Sequence, residues 1–176
     1  MPFTPFHMGP GAAIKAVSGA NFSLMVFGFS QVAIDLEPLV RILRGDATLH
    51  GLSHTYLGAA LIAALSIVLG KPVCERLLRL WLGFARSGWL GLLDPDPKIS
   101  WLAATTGAFV GTFSHVAIDS IMHADMEPLY PVSSSNGLLG AISLGELHLL
   151  CLVLGVVGVV VLLVVGIWNR WAIDAE

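Results

Sequence analysis

The chain has 176 residues, a formal charge of −3, 56% hydrophobic residues and only 12% charged ones. A soluble domain of this size needs more polar surface than that, so the sequence reads as one all-α integral membrane domain over 1–176. It carries no basic stripe for nucleic acid, and Cys74 and Cys151 form neither a disulfide framework nor a CxxC metal motif.

The start, MPFTPFHMGPG, lacks the basic residues and cleavage site of a signal peptide, so the membrane helices themselves are expected to direct insertion. Pro10 and Gly11 precede a short helical pattern over about 11–18, too short to span and expected as a half-helix or interfacial segment. FSLMVFGFSQVAIDL predicts a first span over about 20–36, ended before Pro38. LVRILR, 39–44, reads as a short interfacial helix closed by Gly45 and Asp46. Ser53 is a candidate N-cap for a second span, 54–70, with Lys71 and Pro72 expected to stop it. The basic amphipathic segment 73–86 is expected to lie along the membrane surface, followed by a turn-rich loop, 87–100. A third span is predicted from Trp101 to Met122, a loop over 123–137, and a last span over about 145–168. Gly155 and Gly158 in that last span are candidates for close helix packing. About four transmembrane helices plus short interfacial or half-helices result.

With spans in that order, Lys71, Arg76, Arg79, Arg86, Lys98 and Arg170 fall on one membrane face, with Lys15. The other face has only Arg41 and Arg44. The positive-inside rule puts the richer face in the cytoplasm, at the inner membrane.

The histidines and carboxylates gather at the opposite, extracytoplasmic end. His50, His54, His115, His123 and His148 reach it from independent segments, and so does His7 if the first short helix dips inward. Asp35, Glu37, Asp119, Asp125, Glu127 and Glu146 fall there too. His115 and Asp119, at i and i+4, share a helical face and can offer a nitrogen and an oxygen to one ion; His123 lies one turn further along. An aspartate inside a span costs about 2.5–3.5 kcal/mol on insertion scales, so Asp35, His54, His115 and Asp119 read as a site. His148 reads as an interfacial histidine without a task, and Asp125 and Glu127 as solvated loop carboxylates.

The order of these residues resembles a known pattern: His7; the acidic pair Asp35 and Glu37; Gly51-Leu52-Ser53-His54-Thr55; Ser114-His115 with Asp119; and Pro128-Leu129-Tyr130-Pro131. It is similar to the inner-membrane-associated metal-dependent hydrolases of bacteria and archaea, the family whose founding member is a LexA-regulated membrane protein. The resemblance covers roughly residues 7–131. It implies His7, Asp35, His54, His115 and Asp119 as metal-site residues. The chain departs from the family pattern at Glu37, where a second aspartate is usual, at His50, which stands in an arginine position, and at His123, where threonine is frequent.

The resulting expectation is a membrane-integrated hydrolase holding one or two divalent ions. Imidazole and carboxylate ligands suit Zn2+, with Mn2+ or Fe2+ as alternatives. Glu37 is the expected general base or supporting partner, and His50 and Arg41, with Arg44, the expected stabilisers of negative charge. A site at headgroup level points to an ester or phosphoester of a lipid or lipid-linked substrate. A phospholipase-like layout of helical His and Asp is a weaker analogy. The alternative is a metal-binding membrane protein without catalysis, or an ion or metal transporter.

Overall fold

A backbone in lipid has no water to bond, so each of its polar groups needs an internal partner. The computed structural model, which describes residues 5–85 and 97–174, meets that demand with helices, and no strand occurs among the described residues. Arg86 and most of the expected loop after it lie outside the described residues.

A turn at Pro5–His7 leads into α1, Met8–Ser18. A second turn, Gly19–Asn21, reverses the chain into α2, Leu24–Ile34, which Ser23 caps by accepting from the Val26 amide at 3.2 Å. These two 11-residue helices form a hairpin whose ends, His7 and Asp35, return to the same end of the bundle. The expected first span is thus α2, only about 16 Å long and well short of the roughly 30 Å hydrocarbon core.

The break after α2 falls at Asp35 (φ −75°, ψ −5°), not before Pro38. Pro38 instead sits in the first turn of α3, Leu36–Arg44, where the missing amide hydrogen has no helical partner to lose. Gly45 ends α3 in the left-handed conformation (φ 74°), which a side chain would disfavour.

Thr55 caps the next helix by accepting from the Gly58 amide. That helix is α4, Tyr56–Leu65, followed by a π turn, Ser66–Gly70, and α5, Lys71–Ala85. The expected stop at Lys71–Pro72 does not occur. Pro72 lies in the first turn of α5, and the wider π turn before it accommodates the lost hydrogen bond. The basic segment therefore continues the span, and an apolar helix from Tyr56 to Leu82 results. At about 40 Å it outreaches the hydrocarbon core, so its basic end emerges.

Two further helices are long and apolar enough to cross a membrane: α6, Trp101–Met122, and α7, Leu144–Asp174, through Trp168. The helix α6 occupies the middle, packed on α2 and α4, while α1 lies along α7. Small residues set both contacts. A Cβ at Gly107 would stand 2.5 Å from the Ser23 carbonyl oxygen, and one at Gly111 would collide with Ser30. On α7, Gly158 lies against the Ala12–Ala13 backbone and Gly155 against Gly9, the close packing expected of them.

Candidate metal centre

Four segments deliver five polar side chains to one end of this bundle. His7 comes from the entrance of α1, Asp35 from the end of α2 and His54 from the turn before α4. His115 and Asp119 come from the last two turns of α6, about 10 and 5 Å from its end. All five are buried, His54 and His115 to 1% exposure.

One ligand atom from each of Asp35, His54, His115 and Asp119 falls within 4.8 Å of the others. His115 Nε2 is 3.2 Å from Asp35 Oδ1 and 3.2 Å from Asp119 Oδ2. His54 Nε2 is 3.7 and 3.6 Å from the same two oxygens. A tetrahedral ion with bonds of about 2.0–2.1 Å holds its ligand atoms about 3.3–3.4 Å apart, and the four histidine–carboxylate distances, 3.2–3.7 Å, lie near that length. His7 Nε2 adds a contact of 3.3 Å to the other carboxylate oxygen, Asp119 Oδ1, and its ring lies against that of His115 with centroids 4.6 Å apart.

The buried atoms without a hydrogen bond among the described residues are mostly these: His7 Nε2, His54 Nε2, His115 Nε2 and Asp119 Oδ1, besides Ser66 Oγ. Unsatisfied polar atoms inside a membrane helix bundle are costly, and four converging on one space call for a shared partner. Two carboxylates carry a charge that one divalent cation would balance. The donor set thus fits an ion on charge, on spacing and on its orphaned atoms.

The tautomer of a neutral His115 follows from its neighbour. The Gly111 carbonyl can only accept, so the Gln31 amide must present its nitrogen there, at 3.1 Å. That leaves Gln31 Oε1 facing His115 Nδ1, in a short hydrogen bond in which the ring nitrogen donates. The lone pair is thereby placed on Nε2, the atom facing the carboxylates. His54 Nδ1 lies 2.9 Å from Ser53 Oγ, a hydroxyl that can donate or accept. Sequence reading did not single out Gln31. The signal was available: it precedes Asp35 by one helical turn, a polar residue inside an apolar helix.

Around this inner set stands a scaffold of loops. Arg41 donates from Nε and Nη2 to Glu37 Oε1, at 3.0 and 2.8 Å, and the Ser53 amide donates to Glu37 Oε2 at 2.8 Å. Burial raises the affinity of Glu37 for a proton, yet the Ser53 and Arg41 bonds outweigh it and hold the carboxyl below its ordinary range. Both Glu37 oxygens are therefore engaged by groups that fix the 49–53 loop over the site. Gly51 is required there, since a Cβ would run into that carboxylate.

Asp125, which reads from the sequence as a loop carboxylate, is held in place. Its Oδ2 accepts from the Leu49 and His50 amides at 2.9 and 3.2 Å, and its Oδ1 lies 2.8 Å from His50 Nδ1. Burial pushes its proton affinity up, but these donors prevail and bring its pKa down to about 2. The other ring nitrogen of His50, Nε2, is 3.9 Å from Asp119 Oδ2. His123 closes the end of α6, its ring 4.4 Å from that of His50. His148 is stacked on Phe6 at 4.5 Å, and Arg44 and Glu127 are exposed.

No family model, curated protein or solved structure matches the chain.

Proposed function

We propose that the protein is a membrane-integrated, metal-dependent hydrolase of the family its motif order resembles, acting on an ester or phosphoester of a lipid or lipid-linked substrate. The observation that carries this reading is the buried set Asp35, His54, His115 and Asp119, whose ligand atoms lie within 4.8 Å of one another beside four orphaned polar atoms. Asp35, His54, His115 and Asp119 would hold the ion, and His7 would complete or support the shell. Zn2+ suits such ligands best, with Mn2+ and Fe2+ next. When bound, a divalent ion supplies Lewis acidity and a water whose pKa is lowered to about 7.

The chain's own residues supply position. Gln31 holds His115 with its Nε2 lone pair inward. Glu37 and Arg41, pinned to each other and to Ser53, act through the loop they hold; this refines the expected roles of base and charge stabiliser. His50 is the group on that loop nearest Asp119 and is placed to meet developing negative charge. The neighbouring helix α3 exposes Leu39, Val40 and Leu43 beside its arginines, a surface suited to headgroup level.

Lys15, bonded to the Gly19 and Phe22 carbonyls, and Lys71, over Trp101, mark the far end of the bundle. The positive-inside rule then supports a site on the extracytoplasmic side of the inner membrane.

Elemental analysis of the detergent-purified protein is the first test: one or more transition ions per chain are expected in wild type and a loss in His115→Ala. Metal-dependent release of headgroup or phosphate from a lipid panel is the second. Metal binding with no turnover on any ester or phosphoester would leave a metal-binding protein and remove the hydrolase.

A further inference from the structure

Outside the inner set, His50, His123 and Asp125 bring three more donors together, with ligand atoms within 4.8 Å of one another. They come from two segments far apart in sequence, and the structure fixes each. The Asp125 carboxylate is tied through Oδ2 to two backbone amides, which leaves Oδ1 to the His50 ring. The ring of His50 is only 7% exposed. His123 is held at the helix end, where the Asn136 amide donates to its carbonyl at 3.2 Å and to that of Ser120 at 2.8 Å.

We propose that this outer triad is a second divalent-cation site, for a transition ion that keeps water ligands. Two imidazoles and a carboxylate are a donor set for Zn2+, Mn2+ or Fe2+. The 2.8 Å between His50 Nδ1 and Asp125 Oδ1 is close to the edge of an octahedron with bonds of about 2.1 Å, which is about 3 Å. The partly exposed Asp125 suits an ion with water in its shell. Its position is the second reason. His50 Nε2, on the ring edge away from Asp125, stands 3.9 Å from Asp119 Oδ2, so the two donor sets are neighbours separated by one imidazole. As a neighbour of the inner ion, the outer site rests on the inner reading; as a cation site, it can be measured separately.

The test uses the full chain in detergent, stripped by chelator and titrated with Zn2+ and with Co2+, whose absorption spectrum reports coordination. Stoichiometry is compared in wild type, His123→Ala, Asp125→Asn and His115→Ala. Asp125→Asn keeps an oxygen for the Leu49 and His50 amides, and His123→Ala leaves the Asn136 bond intact, so both variants should fold. Two ions in wild type, falling to one in His123→Ala and in Asp125→Asn, is the expected result. One ion in wild type, kept by His123→Ala and lost by His115→Ala, overturns the outer site and leaves a His50–Asp125 hydrogen bond only. No ion in wild type overturns both readings; one ion lost only with His123 overturns the inner one.

Discussion

The helices α6 and α7 are both long and apolar enough to cross a membrane, yet they are opposite in use. In the most apolar stretch of α6, 44% of residues are buried, against 11% in α7. The buried face of α6 carries Gly107, Gly111, His115 and Asp119, each against a partner from another segment. The face of α7 is largely a run of Leu and Val open to the surroundings, broken where Leu147, Cys151, Gly155 and Gly158 are covered or admit α1. A membrane helix with polar residues must turn them inward, and what they meet there defines the site. One without them is free to face lipid, and its sequence constrains little beyond length.

That contrast is broken most forcefully at Asp119. Asp119→Asn removes the charge that faces four histidines, so metal affinity should fall beyond the roughly 10–100-fold that loss of a supporting partner costs, read by competition with a chelator. Unchanged affinity would remove α6 from the site. Gln31→Leu leaves every ligand in place but frees the His115 ring; a fall of roughly 10–100-fold in affinity is expected, with the ion count unaltered at saturating metal. A Gln31→Glu protein, which keeps an acceptor for Nδ1, should recover part of the loss.

Packing draws the same line. Gly111→Ala sets a methyl against Ser30 and the Phe27 carbonyl, a cost of about 1–3 kcal/mol in detergent unfolding. Gly145→Ala at the start of α7 meets nothing within 4 Å and should change stability by about 0.5 kcal/mol or less. Equal effects would mean that α6 is no more tightly packed than α7.

The smallest effect expected is a pH dependence confined to the loop. Asp125 has a folded pKa of about 2 against an ordinary 3.8, so its deprotonated form is favoured by folding. Its contribution is complete above pH 4 and is lost as pH falls from about 4 to 2. In metal-free protein, hydrogen exchange at the Leu49 and His50 amides should quicken over that window and not in Asp125→Asn. The amides within α7 should show no such step.

Much of this site was legible in the chain. The i, i+4 spacing of His115 and Asp119 states a shared face, and Asp35 inside an apolar run states a cost that needs a reason. The glycines of α7 announced close packing. Less legible were Asp125 and Gln31. A loop carboxylate looks the same in sequence whether water or two amides satisfy it. A glutamine in a span has no signature until the carbonyl that orients it is in place. The course of the helices near Pro38 and Pro72 also escaped sequence reading. Proline disrupts a helix interior but not a first turn, and which of these it occupies depends on where the preceding helix ends.

Composition by itself determined that this is a helical membrane protein, because 56% hydrophobic and 12% charged residues leave too little polar surface for a soluble domain. It also determined which residues had to be explained, since ionisable groups in spans are costly wherever they fall. Only the tertiary structure decided which of them meet. Donors that meet within 3.2–3.9 Å come from positions as far apart as 7, 35, 54 and 119, and no local pattern encodes that distance. It is set by glycine contacts that let α2 lie against α6, and by the turn that returns α1 and α2 to the same end.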